Sequence, residues 1–330
     1  MPTSTFLILG SNCFSGSSCA AHLLQRDYDV IGISRSPEPP DFMLPHKWVP
    51  HERFRFHQLD LNHDGDEIVR IIADERPAYI LCFAAQGMVA ASWKAPADWF
   101  ATNTLAMVRL HEQIRSFDFI KKYVHVSTPE VYGDTTGSVD ETAQYNPSTP
   151  YAVSKAACDL SLLSFYRAYD FPCVITRAAT VCGPGQQLYR IIPRTIISIL
   201  KGEKLRLEGG GKAIRSFVHI SDISDATLLC ALKGRAGEIY HFSVRDSVSI
   251  CDLVRKICLE LDAEFERHVE MAPPRLGEDA AYQLDYRKAR EQLGWQPHLT
   301  VEEAIRDTIV WIQDNWQDIA RCPLDYVHKA

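Results

Sequence analysis

Short apolar runs punctuate the first half of the chain at regular intervals, beginning with Phe6-Leu-Ile-Leu9. Runs of this length, bounded by turn-forming residues, read as buried strands. They predict strands at Thr5–Leu9, Val30–Ser34, Phe54–Leu59, Tyr79–Phe83, Tyr123–Val126 and Cys173–Arg177. Between them the apolar positions fall at helical spacing over Ser17–Gln25, Gly65–Ala73, Pro96–Phe117 and Pro150–Tyr169. Strand alternating with helix implies parallel strands joined by crossovers, hence a doubly wound α/β sheet. Right-handed crossovers put every strand's carboxyl end on one edge, where ligands bind in such sheets.

The rhythm changes after Arg177. Gly183-Pro184-Gly185 and Gly209-Gly210-Gly211 are breakers on either side of a helix at Ile191–Lys201. Strands follow at Phe217–Ile220 and Glu238–Phe242, and helices at Ile250–Leu261 and Val301–Trp316. This predicts a sheet domain over 1–176 plus about 217–244 and a smaller mixed α/β lobe over 177–216 and 245–330, which the motifs below make the dinucleotide-binding domain and the substrate-binding lobe.

Composition narrows the class. A chain of 330 residues with 46% apolar and 23% charged residues can bury a sizeable core. Its net charge of −7 argues against broad binding to nucleic acid or anionic membrane. No apolar run is long enough to span a bilayer, and the first residues lack the basic region of a signal peptide. The ten cysteines are scattered with no C-x-x-C pair, so neither a metal site nor a disulfide framework is expected. A cytoplasmic location follows as an expectation.

The chemistry concentrates at two places. Tyr151 and Lys155 are four apart, on one face of a helix. An ammonium beside a phenol favours the phenolate, which can then exchange a proton with an alcohol. Ser127 and Thr128 follow the strand Tyr123–Val126, so their hydroxyls lie at its carboxyl end. Together these groups point to hydride removal from a carbinol. Glu130 adds a carboxylate that simple alcohol oxidation does not need.

The other place is the turn after the first strand, Gly10-Ser-Asn-Cys-Phe-Ser-Gly16. Its backbone and the following helix amino terminus can hold a pyrophosphate, with Gly10, Asn12, Cys13, Phe14, Ser15 and Gly16 as the candidate contacts. Cys13 stands where the familiar fingerprint has its middle glycine. Ser34-Arg35-Ser36 ends the second strand without a carboxylate for the adenosine ribose, which leans towards NADP while leaving NAD open. Arg35 could equally stack on adenine. Asp60 with Leu61 could reach the adenine amine, or Asp60 could cap its own turn. Ala84-Ala85-Gln86 supplies small residues where a dinucleotide must lie flat.

These motifs, together with Asn103, Arg177, Gly183-Pro184, Arg215-Ser-Phe-Val-His-Ile-Ser-Asp222 and Leu293-Gly-Trp295, occur in the order found in one family. The chain resembles the extended short-chain dehydrogenase/reductases that modify nucleotide sugars, from about residue 5 to 315. The resemblance implies a Rossmann domain with bound NAD or NADP, Asn103 beside the cofactor, Tyr151 as the base at the sugar C4 hydroxyl, and Lys155 on the nicotinamide ribose. Thr128 would bond the C4 oxygen.

A Glu at the position of Glu130 is characteristic of 4,6-dehydratases, although uronate decarboxylases keep one too and 4-epimerases usually lack it. Pro129 stands where many dehydratases place a second acid, so Glu130 would serve first as base and then as acid. For the nucleotide diphosphate the resemblance selects Arg190, Arg215 and Arg275, with Gln86, Ser127 and Thr180 as further substrate contacts. It also implies a homodimer built through a four-helix bundle of 96–117 and 150–169. The leading expectation is a nucleotide-sugar 4,6-dehydratase; the alternatives are an NDP-uronate decarboxylase or NDP-sugar 4-epimerase on the same fold, or a non-catalytic dinucleotide-sensing protein.

Overall fold

A computed structural model describes residues 4–50, 52–135, 137–273 and 280–329. Its centre is a seven-stranded parallel sheet. From one edge the order is Ile239–Phe242, Cys173–Ala178, Lys122–Val126, Tyr79–Cys82, Thr5–Leu9, Asp29–Ser34, Phe54–Gln58. The order reverses between Thr5–Leu9 and Tyr79–Cys82, which opens a crevice at the carboxyl ends of these strands. All six strands anticipated in the first half are present, and Glu238–Phe242 joins them as the seventh from Ile239.

Apolar residues alternate to both faces of this sheet and build two cores. On one face Phe6, Ile8, Val124 and Val174 meet helices Phe14–Leu24 and Ile220–Lys233. On the other, Leu7, Leu9, Ile80 and Tyr123 meet helices Gly65–Glu75, Met107–Ile114 and Pro150–Tyr169. A third core, with Ile192, Ile196, Leu253, Ile257, Ile305 and Ile312, unites helices Ile191–Lys201, Ile250–Glu260 and Val301–Asp314.

Three local readings change. The segment expected as one helix over 96–117 is helix Pro96–Phe100, a wider π-helical stretch Ala101–Ala106, then helix Met107–Ile114. The strand expected at Phe217–Ile220 ends at His219, pairs with Thr180–Cys182 outside the main sheet, and runs straight into helix Ile220–Lys233. That helix is buried along most of its length, so its apolar residues do not segregate to one stripe and its period is hidden. The final long helix stops at Asp314, and a short helix Trp316–Ile319 follows. Among the described residues no helix is long and apolar enough to cross a membrane.

Candidate functional site

The first strand delivers the chain into the glycine turn. Gly10 has φ +88°, and a Cβ there would stand 2.7 Å from the backbone of Ala84, on the neighbouring strand's continuation. A Cβ on Gly16 would lie 2.2 Å from the Gly10 carbonyl oxygen. Both positions are therefore closed to any side chain. Cys13 caps the helix Phe14–Leu24, its Sγ accepting from the Gly16 N–H at 3.3 Å. Burial pushes its thiol up to about 11, so it remains a neutral capping group at physiological pH. Phe14 is buried as the helix's first residue and Ser15 is half-buried beside it.

The second strand holds this turn in place. Ser34 Oγ accepts from the Asn12 N–H at 2.9 Å, and Asn12 Nδ2 donates to the Ser36 carbonyl at 2.9 Å. Ser34 thus fastens the turn by accepting from its backbone. Arg35 flanks it on the strand's carboxyl side. Asp60 Oδ1 accepts from the Asn62 N–H at 2.8 Å, the turn-capping arrangement. Leu61 packs on the core beneath, as does Ala84, while Ala85 is exposed.

Asn103 acts as a clamp. Its Oδ1 accepts from the Gln86 N–H at 2.8 Å, and its Nδ2 donates to the Gln86 carbonyl and to Ser154 Oγ, each at 3.0 Å. Thr104 Oγ1 donates to the Ser154 carbonyl at 2.9 Å. The wide π turn aims these consecutive polar side chains at one neighbouring helix, and such turns concentrate at functional sites. Asn103 therefore holds the Gln86 loop against the helix that carries Tyr151 and Lys155.

Thr149 caps the helix Pro150–Tyr169, with Pro150 at a position where a missing N–H costs nothing. Tyr151 then sits in the first turn and hydrogen-bonds Thr128. Burial, and then the nearby Glu130 carboxylate, hold its phenol well above the ordinary range, while the Thr128 bond and the Arg190 guanidinium oppose them. The Lys155 ammonium, almost fully buried, donates to the Val126 carbonyl at 2.8 Å and contacts His125 Nε2 at 3.1 Å. The sequence reading placed it as the main influence on the phenol. Its two fixed bonds instead go to the strand end.

Thr128 caps a short turn, Pro129–Tyr132, its Oγ1 accepting from the Glu130 N–H at 3.3 Å. Pro129 is buried in that turn. Glu130 emerges into a cavity of about 850 Å³, lined also by Thr180, Arg190, Arg215, Tyr282 and Tyr326. That volume suits a ligand of nucleotide-sugar size. Arg215 lies over the Tyr282 ring, 4.5 Å from its centroid. Arg275 lies outside the described residues. Ser127 departs from expectation: its Oγ donates to Asp159 Oδ2 at 2.7 Å, behind the site.

That bond belongs to a buried network which sequence reasoning missed. Arg177 pairs with Asp159 at 2.9 Å and also bonds the hydroxyls of Tyr132 and Tyr145. Tyr132 in turn meets His241 Nε2 at 2.8 Å. Removing one partner of such an ion pair costs about 3–5 kcal/mol, so it anchors the floor of the site. Asp159 had one visible signal, its place four residues beyond Lys155 on the same helix face.

A second unforeseen feature crosses the cleft. The Leu324 carbonyl and the Asp325 carboxylate accept from Arg194 at 3.1 and 3.2 Å. Further on, His328 pairs with Asp98 at 2.7 Å and stacks on Trp99. The Lys329 carbonyl accepts from Gln86 Nε2 at 2.7 Å. Residues 324–329 thus link helix Ile191–Lys201 to helix Pro96–Phe100 and the Gln86 loop.

A doubly wound sheet, a glycine turn closed to side chains, and a Thr-Tyr-Lys set at the strand ends define an extended short-chain dehydrogenase/reductase. Within that class, the GDP-mannose 4,6-dehydratase family model matches residues 7–308, and the chain belongs to this family. A dTDP-glucose 4,6-dehydratase of Xanthomonas campestris pv. campestris is 32% identical over 331 residues, 94% of this chain and 93% of that one. The enzyme of the same name from Neisseria meningitidis serogroup B is 29% identical and spans 95% of each chain. Among solved structures, dTDP-glucose 4,6-dehydratase from Streptomyces venezuelae, with NAD bound, has a TM-score of 0.88 at 28% identity, covering 96% of this chain and 100% of that one. A UDP-glucose 4-epimerase from Thermotoga maritima reaches 0.85 at 27% identity, covering 94% and 99%.

Proposed function

We propose that this chain is an NAD-using nucleotide-sugar 4,6-dehydratase, converting an NDP-hexose to its 4-keto-6-deoxy form. The observation that carries the reading is Glu130, placed in the cavity within electrostatic reach of Tyr151 and one turn residue beyond Thr128. A carboxylate beside the C4 oxidising pair is what elimination needs and epimerisation does not.

Gly10 and Gly16 let the turn close on Ala84 and on itself, which brings the amino terminus of helix Phe14–Leu24 to the crevice, where it suits the pyrophosphate of a dinucleotide. NAD, when bound, accepts the hydride from C4 and returns it to C6. The related dehydratase structures hold NAD, so NAD replaces the lean to NADP drawn from Ser34-Arg35. Thr128 would hydrogen-bond the C4 oxygen while Tyr151 takes its proton. Oxidation at C4 acidifies the C5 proton, which Glu130 removes. Pro129 has no proton to give, so Glu130 would pass that same proton to the departing C6 hydroxyl, and water leaves; once hydride has returned to C6, C5 takes a proton from solvent relayed by Glu130, while the Tyr151 phenol gives its proton back to solvent. Arg190 and Arg215, both at the cavity wall, would hold the diphosphate through their guanidinium forks, with Thr180 beside them.

In this reading the division into a sheet domain and a substrate lobe persists as a functional one, with the cavity between their side chains. A cytoplasmic location suits ten cysteines that are all free. Phe100, Leu105, Val153 and Leu160 are exposed on the helical segment 96–114 and on Pro150–Tyr169, which supports a homodimer through a four-helix bundle. The test is turnover of dTDP-glucose, GDP-mannose and UDP-glucose by the NAD-loaded protein. Loss of water from the sugar of at least one supports the reading.

A further inference from the structure

We propose that His125 is the positioning residue for Lys155: its imidazole and the Val126 carbonyl take two of the ammonium's three donors and direct the third towards the dinucleotide ribose. The inference deepens the proposed function and rests on its assignment of Lys155 to the cofactor.

Lys155 Nζ lies 3.1 Å from His125 Nε2 and 2.8 Å from the Val126 carbonyl oxygen. Both side chains are buried, Lys155 at 2% exposure and His125 at 0%. An ammonium is a tetrahedral donor with no acceptor capacity, so two fixed partners leave one free N–H in a fixed direction. A Lys held only by its own flexible stem would lack that constraint.

The bond requires Nε2 to present its lone pair, which places the ring proton on Nδ1. Nδ1 is buried and has no hydrogen-bond partner. A buried unpaired N–H is a cost that an apolar residue of similar size would avoid. The useful atom of this residue is therefore Nε2.

The surroundings keep the ring in that form. Lys155 from helix Pro150–Tyr169, His111 from helix Met107–Ile114 and Arg177 from strand Cys173–Ala178 all act on it. With burial they hold its pKa well below the usual histidine range. Asp159, 3.7 Å from Nε2, is the one carboxylate nearby, and its other oxygen is engaged by Arg177. A protonated ring would set two cations against each other; a neutral one accepts.

Two conservative variants separate positioning from packing. In His125→Gln the amide oxygen can occupy the place of Nε2. In His125→Asn it falls near the place of Nδ1, out of reach of Lys155. The rate of NAD release from the loaded protein and kcat with an NDP-hexose are measured for both, alone and with Lys155→Met.

His125→Asn should speed NAD release about tenfold and lower kcat about 10- to 100-fold, with His125→Gln within about threefold of the parent. In the Lys155→Met background His125→Asn should add no further change. The proposal is overturned if Asn and Gln variants match each other, or if the Asn effect persists in full without Lys155. Should the parent protein dehydrate no NDP-hexose, the functional reading fails, and the NAD-release comparison still decides the role of His125.

Discussion

Glu130 carries the distinction between redox chemistry and elimination, and its removal should split the two. Glu130→Gln keeps the shape and hydrogen bonding but loses the base, so water loss should fall about 10²- to 10⁴-fold. Oxidation at C4 should continue, visible as near-ultraviolet absorbance of reduced dinucleotide that accumulates with substrate. Unchanged product formation would remove Glu130 from the mechanism. Tyr151 makes a second prediction. It must lose its proton to act, and its phenol is held high by burial and Glu130, so kcat should rise with pH across the neutral range. The Arg190 guanidinium pulls the phenol's pKa down, so Arg190→Met should displace the acidic limb of the kcat profile to higher pH. An unmoved limb would show that another group sets it.

The residues proposed as catalytic stood out because spacing brings them together. Tyr151 and Lys155 share a helix face, and Thr128 with Glu130 follows a strand end. What each side chain touches was not legible. Ser127 turned inward to Asp159, Ser34 to the glycine turn, and Asn103 to the Gln86 loop. Hydroxyls and amides bond in several directions, and only the packed neighbours choose among them.

Elements follow the same division. The main-sheet strands, four to six residues long between turn formers, were read nearly to the residue, while the short strands Leu205–Glu208 and Val269–Ala272 outside it were not. The helix Ile220–Lys233 escaped because it is wrapped on several sides, and the π stretch Ala101–Ala106 because its polar residues carry no periodic mark. The helix Met107–Ile114 offers a stability test. His111 is fully buried, neither ring nitrogen has a partner, and burial lowers its pKa to about 3. The unfolded chain binds a proton there near pH 6.5, so stability is present above that value and is lost as pH falls towards 3. His111→Leu should flatten this dependence, seen as a smaller drop in urea midpoint between pH 7.5 and 5, values chosen at roughly one to two units either side of histidine's usual pKa. An equal drop in parent and variant would contradict it. The helical pair 96–114 and Pro150–Tyr169 makes another prediction: Leu105→Glu with Leu160→Glu should convert a dimer to a monomer in light scattering.

At the scale of the whole molecule, the sheet order, the crevice and the cavity beside it place cofactor and sugar chemistry at one edge. The alternation of elements announced the sheet. The segment 324–329 could not be anticipated, because its partners Gln86, Asp98 and Arg194 lie more than a hundred residues away in sequence. The central claim is that this architecture performs an internal oxidation, elimination and reduction on one sugar. Incubating the NAD-loaded protein with NDP-hexoses in deuterated water, and following products by mass and NMR, tests it most directly. Dehydration predicts loss of one water with deuterium at C5 and no net change in the dinucleotide. A product of unchanged mass with inverted C4, or loss of carbon dioxide from an NDP-uronate with no hexose dehydrated, would contradict it.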